Sequence, residues 1–354
     1  MKDLIGKKIG FSNIALIKYW GKKNNLQIPV SPSISFTLKK AMTTMEYSLS
    51  YKKNDFGKSK ILLEEFLFEG TVNLQFQKKI QSKIQKILDY YPTLLSDSVS
   101  DNFNLNLSLK SWNSFPHSAG IASSASSMSA LAQILNLILK VPFDFSEKQN
   151  ESFLARELSG SAARSVYPGF VSWGEIDGEK SASDLWASPL DSIHPTFKDL
   201  QDWILIVDKI PKKVNSSLGH ERFNDHPYLA ARIKNAHKKY DQLRELLNHP
   251  MNFEFFKLIE GEALELHALM WTSVPSFNLL SPSSLKLIHY INEIREQFNI
   301  FCGYTIDAGP NIHLIFPKSE EVLMAKYFSS SILEGVLGHQ CEVFCDEINW
   351  DLLP

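Results

Sequence analysis

The sequence of 354 residues lacks several features that define whole classes of protein. It contains no run of about 18 apolar residues, so no segment is predicted to span a membrane. Cysteine is scarce and odd in number, which excludes a disulfide framework, and we expect Cys302, Cys341 and Cys345 to be buried free thiols. The N-terminal segment has no apolar core of signal-peptide length, so a cytoplasmic location is expected.

An excess of charge of one sign is also missing. The formal net charge is −2, which argues against nucleic acid as the main partner. Any polyanionic ligand must therefore be held by a local cluster of cations. The contents of 44% hydrophobic and 21% charged residues are typical of globular proteins, and the length predicts two domains or one large one.

Strand and helix patterns are interspersed without the regular alternation of a doubly wound sheet, which favours the α+β class. Period-two or apolar strand patterns occupy 14–18, 34–38, 44–50, 104–109, 170–173, 203–207, 304–307 and 312–316. Helical patterns occupy 76–88, 149–158, 228–247, 253–270 and 283–298. Because the strand at 203–207 begins a new series of elements, we expect one domain over 1–195 and a second over 196–354.

The most informative segment is the small-residue loop 116–125, which joins the strand pattern at 104–109 to a helical one. The helix should begin close to Ile121 or Ala122, so backbone N–H groups and the positive end of a helix dipole would converge there. Ser123 and Ser124 add hydroxyl groups. This arrangement suits a phosphate group, but a capped helix start in a packed core fits equally well, and the P-loop pattern is absent.

A basic turn follows the first strand pattern. Lys18 ends that strand, two aromatic residues and a glycine come next, and Lys22 and Lys23 complete the turn. Three lysines so close together suit phosphate oxygens, and Tyr19 can donate a hydrogen bond. A solvated basic turn is the alternative, and Trp20 could simply belong to the core.

Two further charged residues are candidates for chemistry. Arg164 follows the small-residue run 159–163, where its planar guanidinium could hold a carboxylate or a phosphate, although surface arginines are common. Asp307 ends an apolar segment and precedes a glycine turn, a good position for a general base, although a plain Asx turn would look the same. No histidine pair has metal-ligand spacing, so we expect ordinary surface or core positions for all ten.

Taken together and in this order, these segments resemble the motifs of the mevalonate diphosphate decarboxylase family, within the GHMP kinase superfamily. Residues 13–22 resemble its N-I-A-x-x-K-Y-W-G-K opening, and 116–125 its P-x-x-A-G-L-A-S-S-A loop. Residues 159–170 are similar to G-S-A-x-R-S-x-Y-G-G-F, 214–219 to V-S-S-x-x-G, and 307–311 to D-A-G-P-N. The resemblance spans most of the chain.

The resemblance implies an α+β, two-domain GHMP kinase fold. The N-terminal, ATP-binding domain over 1–195 would be like domain 2 of ribosomal protein S5. The C-terminal domain over 196–354 would be ferredoxin-like, with the active site in the cleft between the two. A homodimer is also expected.

The implied reaction is the ATP-dependent conversion of mevalonate 5-diphosphate to isopentenyl diphosphate, with Mg²⁺ as cofactor and carbon dioxide, ADP and phosphate as co-products. The resemblance gives Asp307 the role of accepting the proton of the tertiary hydroxyl, with Lys18 beside it. Arg164 would hold the carboxylate that leaves as carbon dioxide.

The resemblance also implies contacts for both substrates. The substrate anion would be bound by Tyr19, Trp20, Gly21, Lys22, Ser159, Gly160, Ser161, Ala162, Ala163, Arg164, Ser216 and Ser217. ATP would be bound by Pro116, Ser118, Ala119, Gly120, Ala122, Ser123 and Ser124. Ser123 and Ser124 would also ligate Mg²⁺. A basic residue near the first helix has no clear counterpart, and Lys78, Lys79 and Lys83 are the candidates.

The sequence departs from the family pattern at His117, Ser118, Pro168, Asn215 and His220, where His220 replaces the usual methionine. These departures leave open whether the substrate carries one phosphate or two, so a phosphomevalonate decarboxylase is an alternative. A small-molecule kinase is a second alternative, against which Arg164 argues because a kinase expels no carboxylate. A non-catalytic ATP-binding protein is a third.

Overall fold

The computed structural model describes residues 3–23, 27–54, 59–96, 103–116, 121–141, 143–207 and 216–352, without the side chains of Ser96, Ser216 and Ser217. Its strands are β1 (Leu4–Ile17), β2 (Ser33–Lys53), β3 (Ile61–Phe68), β4 (Thr71–Val72), β5 (Phe103–Asn113), β6 (Phe170–Trp173), β7 (Ala187–Pro189), β8 (Leu200–Ile206), β9 (Gly303–Ile306), β10 (Ile312–Pro317) and β11 (Glu342–Glu347). Its helices are α1 (Leu74–Tyr90), α2 (Thr93–Ser96), α3 (Ser123–Leu135), α4 (Glu147–Leu158), α5 (Ser216–Arg222), α6 (Leu229–Leu247), α7 (Phe253–Thr272), α8 (Pro282–Phe298), α9 (Glu321–Phe328) and α10 (Ser330–Leu337).

The first half of the chain forms a seven-stranded mixed sheet. Its order is β4-β3-β5-β2-β6-β7, with β1 paired to β2 as well. All pairs are antiparallel except β3 with β5. Helices α1, α3 and α4 contribute apolar residues such as Ile84, Leu131 and Leu154 to a core with Leu105 and Leu107 of β5. This packing fixes the N-terminus of α3 beside the sheet.

The second half forms a four-stranded antiparallel sheet in the order β11-β8-β10-β9. Helices separate β8 from β9 and β10 from β11, whereas β9 and β10 follow each other directly. This is the β-α-β-β-α-β arrangement of a ferredoxin-like unit, with extra helices in the first connection. None of the helices within the described ranges combines the length and apolar character needed to cross a membrane.

A buried carboxylate joins the two sheets. The pairing of β1 with β2 is interrupted between the Thr37 and Met42 positions of β2. There, the backbone N–H groups of Lys39 and Lys40 donate to Oδ1 of Asp346 over 3.1 and 2.8 Å, and that of Ala41 donates to Oδ2 over 2.7 Å. Because these donors lack a strand partner, Asp346 satisfies them and fixes β11 against β2.

Most sequence expectations for the fold are confirmed, including the α+β class and the five helical patterns. The patterns at 34–38 and 44–50 belong to the single long strand β2, and the helix expected near Ile121 begins at Ser123. Cys302 and Cys341 are buried free thiols, but the expectation is wrong for Cys345, whose free thiol is exposed. Cys345 lies on β11, which is the edge strand of its sheet.

Candidate active site

The side chains of Lys18 and Asp307 meet where the two halves of the chain join. Lys18 directly follows β1, and Asp307 directly follows β9. Lys18 Nζ lies 2.7 Å from Asp307 Oδ1, and the side chains are 2% and 29% exposed. The ammonium group is therefore buried, while the carboxylate is still open to a ligand.

A buried ionic network, which the sequence analysis did not find, holds the backbone of Lys18. Glu262 on α7 accepts a hydrogen bond from the backbone N–H of Lys18 over 3.0 Å. Arg232 on α6 donates from Nη2 to the backbone carbonyl of Lys18 over 3.3 Å. Arg232 and Lys239 both pair with Glu262. Because the attractions of these cations outweigh burial, the pKa of Glu262 lies below its ordinary value.

Asp307 is held as a carboxylate. Burial acts to raise its pKa, but the charges of Lys18, His313 and Arg164 and the hydrogen bond from Lys18 outweigh burial, so the pKa is lowered. His267 on α7 donates from Nε2 to the backbone carbonyl of Asp307 over 3.1 Å. The group is therefore ionised at neutral pH and able to accept a proton.

Arg164 lies in the 3-10 turn Gly160–Val166 and is 2% exposed. Its Nε donates to Asn13 Oδ1 over 3.2 Å and to Ser35 Oγ over 3.0 Å, and its Nη1 donates to Ser33 Oγ over 2.7 Å. Among the described residues, no hydrogen bond is made by Nη2. Burial lowers its pKa to about 10, although the charges of Asp307 and Tyr19 act to raise it. A protonated guanidinium with neutral partners has charge available for an anionic ligand.

The small-residue run before Arg164 lies against Tyr19. A Cβ atom on Gly160 would fall 2.5 Å from Tyr19 Oη, so only glycine allows this approach. Burial raises the pKa of Tyr19, so its hydroxyl stays protonated, and it donates to the backbone carbonyl of Gln27 over 3.3 Å. Asn13 Nδ2 donates to the backbone carbonyl of Ser161 over 3.0 Å. Ala162 and Ala163, which belong to the same turn, are fully buried.

His220 contacts the basic turn, which the sequence analysis missed. The N–H of Gly21 donates to His220 Nδ1 over 3.0 Å, and the ring of Trp20 lies with its centroid 4.6 Å from that of His220. Gly21 has φ +96°, a conformation that favours glycine. Trp20 is 4% exposed and also packs with Phe223, which supports its assignment to a core. The only sequence signal for this contact is that His220 departs from the family motif.

The N-terminus of α3 lacks a capping side chain among the described residues. Its N-cap, Ala122, has φ +47° and makes no side-chain capping bond. Ser124 Oγ lies 3.2 Å from Ser159 Oγ, which brings the predicted ATP loop to the predicted substrate turn. Pro116 ends a described segment, whereas His117, Ser118, Ala119 and Gly120 lie outside the described residues. Ser216 and Ser217 begin α5, and their side chains are likewise not described.

A cavity of about 200 Å³ lies between α1, α3 and the sheet. Its lining residues include three aromatic side chains, two lysines and four serines: Phe66, Phe68, Phe76, Lys79, Lys83, Ser111, Ser123, Ser124 and Ser127. Lys78, the third candidate, lines a different groove with Gln81 and Gln85. Lys83 Nζ donates to the backbone carbonyl of Leu158.

The lysines near this cavity repel one another. Burial lowers the pKa of Lys83 to about 8, helped by the charges of Lys79, Lys22 and Lys86. Burial, with the charge of Lys86, likewise lowers the pKa of Lys22 to about 8. No carboxylate is among the described groups that shift the pKa values of Lys22 and Lys83. The cluster is therefore suited to binding a polyanion. In the described ranges, no group of three or more His, Cys, Asp or Glu side chains could hold a metal ion.

The two sheets and the site at their junction define a two-domain α+β protein of the GHMP kinase type. Residues 10–184 match the family model of the diphosphomevalonate decarboxylase-like N-terminal domain, and residues 203–342 match that of the mevalonate 5-diphosphate decarboxylase C-terminal domain. The chain therefore belongs to the diphosphomevalonate decarboxylase family.

Individual relatives agree with this assignment. The diphosphomevalonate decarboxylase of Bos taurus is 31% identical over 84% of this chain and 73% of its own length. The crystal structure of mevalonate diphosphate decarboxylase from Staphylococcus aureus has a TM-score of 0.77 and 26% identity, covering 98% of this chain and 96% of that one. A structure described as MDDEF in complex with MVAPP, AMPPCP and magnesium has the same TM-score and identity, covering 97% and 99%.

Proposed function

We propose that the protein catalyses the ATP-dependent decarboxylation of mevalonate 5-diphosphate to isopentenyl diphosphate, within isoprenoid biosynthesis by the mevalonate pathway. The observation that carries this proposal is the contact of Lys18 with Asp307, with the guanidinium of Arg164 close enough to lower the pKa of Asp307. An ammonium, a guanidinium and a carboxylate then surround one ligand. A relative of 26% identity, solved with MVAPP, AMPPCP and magnesium, supports the identity of both substrates.

The first step is phosphoryl transfer to the tertiary hydroxyl. The hydroxyl oxygen forms a bond to the γ-phosphorus of ATP, the bond to the β-phosphate oxygen breaks, and ADP leaves. Asp307 accepts the hydroxyl proton. A lowered pKa makes Asp307 a weak base, which suits phosphoryl transfer because positioning and electrostatics supply most of the acceleration. Lys18 stabilises the transferring charge.

The second step expels phosphate and carbon dioxide. The carbon–oxygen bond breaks and its electrons leave with phosphate. The bond to the carboxylate carbon then breaks, and its electron pair forms the double bond of the product. Arg164 keeps the carboxylate ionised and oriented, since its Nε and Nη1 are fixed by neutral partners. A protonated carboxylic acid could not fragment in this way.

The N-terminus of α3 fits the phosphates of ATP, and we propose Ala122, Ser123 and Ser124 as their contacts. The hydroxyls of Ser123 and Ser124 fit a Mg²⁺ ion that is otherwise held by phosphate oxygens, because Mg²⁺ prefers oxygen ligands. When bound, the ion neutralises charge on the transferring phosphoryl group. Lys79 and Lys83 line the same cavity and face this anion.

We propose Tyr19, Lys22 and the turn from Ser159 to Ala163 as contacts of the diphosphate end. Tyr19 keeps its proton, and Lys22 stands in a cluster of cations without a carboxylate among the described groups that shift its pKa. Ser216 and Ser217 are proposed on the family motif alone. Trp20 and Gly21 shape this pocket rather than supply charge.

We propose residues 1–195 and 196–354 as the two domains, which the separate sheets and the matches at 10–184 and 203–342 support. A cytoplasmic location is supported by the use of ATP and by three free thiols. A homodimer is proposed on the family resemblance alone. Light scattering after size-exclusion chromatography tests the dimer.

Incubation with ATP, Mg²⁺ and either mevalonate, its 5-phosphate or its 5-diphosphate tests the function. We expect ADP and carbon dioxide from the 5-diphosphate only. Both products from the 5-phosphate alone would indicate a phosphomevalonate decarboxylase. ADP without carbon dioxide would indicate a kinase, and neither product from any compound would contradict catalysis.

A further inference from the structure

His220 lies inside the proposed diphosphate pocket, at the position where the family motif carries methionine. Its ring is enclosed by Tyr19 and Trp20, with centroid separations of 4.6 Å to each. The residue is only 7% exposed. The substitution therefore places a polar ring in direct contact with residues proposed to bind the substrate.

The hydrogen bond from Gly21 determines which nitrogen of His220 carries the proton. Nδ1 accepts the Gly21 N–H over 3.0 Å, so Nδ1 is unprotonated. A neutral imidazole must then carry its proton on Nε2. Burial, with the charges of Lys22 and Arg164, holds the pKa of His220 well below its ordinary value, so the ring stays neutral at physiological pH.

The Nε2–H donor of His220 makes no hydrogen bond among the described residues. His226, a buried histidine six positions later, is different. Its Nε2 donates to the carbonyl of Leu269 over 3.0 Å, and its Nδ1 accepts the N–H of Tyr228 over 3.1 Å. His220 Nε2 is not among the fully enclosed polar atoms, although most of the residue is buried, so its N–H can reach a ligand in the pocket.

The surroundings of His220 favour an anionic ligand. Lys22 and Arg164 are the two charged groups that act on the ring, and both are cations. A neutral donor among cations adds a hydrogen bond to a phosphate without adding further repulsion between positive groups.

We propose that His220 is a substrate-binding residue whose Nε2–H donates a hydrogen bond to an anionic oxygen of the bound mevalonate 5-diphosphate. The proposal rests on the function proposed above and adds a specificity contact that methionine cannot make. His220 contributes to substrate binding and takes no part in proton transfer, because its Nδ1 accepts the hydrogen bond from Gly21 and the ring remains neutral.

Two substitutions distinguish the contribution of the hydrogen-bond donor from that of the shape of the side chain. His220→Met restores the residue of the family motif and removes the donor, whereas His220→Gln keeps both an acceptor for Gly21 and a donor for the ligand. Calorimetry with mevalonate 5-diphosphate, without ATP, should give a Kd about 10- to 100-fold higher for His220→Met. His220→Gln should stay within about threefold of wild type. In turnover, His220→Met should raise KM with kcat nearly unchanged.

His226→Gln is the matched control, since both of its nitrogens are already satisfied within the protein. It should lower the melting temperature without changing the Kd. In wild type, the ¹⁵N resonance of His220 Nε2 should move when mevalonate 5-diphosphate is added. An unmoved resonance, or equal Kd values for His220→Met and wild type, would overturn the proposal. Absence of turnover by wild-type protein would instead contradict the proposed function, since the binding measurements do not depend on it.

Discussion

Lys18 Nζ lies 2.7 Å from Asp307 Oδ1, although the two residues are 289 positions apart in the chain. Lys18 directly follows a strand of the seven-stranded sheet, and Asp307 directly follows a strand of the four-stranded one. Their contact places an ammonium and a carboxylate at one point between the halves. It is also the reason that Asp307 is ionised when the substrate arrives.

Asp307→Asn should lower kcat by about 10²- to 10⁴-fold, because the amide cannot accept the hydroxyl proton. Nucleotide binding should persist, since Ser123, Ser124 and the N-terminus of α3 are unaffected. Turnover and calorimetric titration with ATP measure the two effects. Asp351→Asn, at an exposed position, is the control and should be neutral. Unchanged turnover in Asp307→Asn would rule out the proposed base.

Arg164→Lys should lower kcat/KM by about 100-fold, because lysine lacks the planar fork that Ser33, Ser35 and Asn13 hold in place. The measurement is carbon dioxide release at subsaturating substrate. Arg244→Lys serves as the control, since Arg244 is 41% exposed and pairs with Glu179. Comparable rates for the two variants would show that a guanidinium is not needed at position 164.

Lys83→Met should raise the KM for ATP by about 10-fold or more, because Lys83 lines the cavity that also contains Ser123 and Ser124. Lys78→Met is a closely matched control from the same helix, since Lys78 lines another groove. It should leave the KM for ATP at the wild-type value. The same effect in both variants would mean that general charge, rather than the cavity, determines ATP binding.

Binding of phosphate anions should weaken as pH rises above about 8. Burial lowers the pKa of Lys22 and Lys83 to about 8 in the free protein, so both lose their charge above that pH. A bound anion favours the charged form, so binding takes up protons there and affinity falls with pH. Inhibition by inorganic diphosphate, measured from about pH 7 to 9.5, follows this fall.

Lys22→Arg is the control for the pH dependence, because arginine remains protonated throughout that range. We expect this variant to show a shallower fall in affinity. A wild-type inhibition constant that stays the same across the whole range would contradict the lowered pKa values.

The sequence predicted a large part of the fold because periodic apolar patterns mark long elements. The helical pattern at 253–270 corresponds to α7, and the strand pattern at 170–173 matches β6. The sequence patterns did not predict some short or edge elements, among them the three residues of β7 and the half-buried β11. Local patterns carry little information about strands whose existence depends on pairing with distant ones.

The motif residues of the candidate site were predicted, but the residues that support them were not, for a similar reason. Lys18, Arg164 and Asp307 lie in recognisable motifs, so their identity could be read from the sequence. The support from Glu262 and Arg232 depends on how helices pack, and nothing in the local sequence around either residue indicates it. In the sequence, His220 was noticed only as a departure from the family motif. Its contact with Gly21 could be identified only from the structure.

The ratio of carbon dioxide to ADP released from mevalonate 5-diphosphate tests most directly whether one site performs both bond-breaking steps. Wild-type protein with ATP and Mg²⁺ should release the two in equal amounts from the first turnover onward. ADP released in excess of carbon dioxide would contradict the account, since the phosphorylated substrate would then leave with its carboxylate intact.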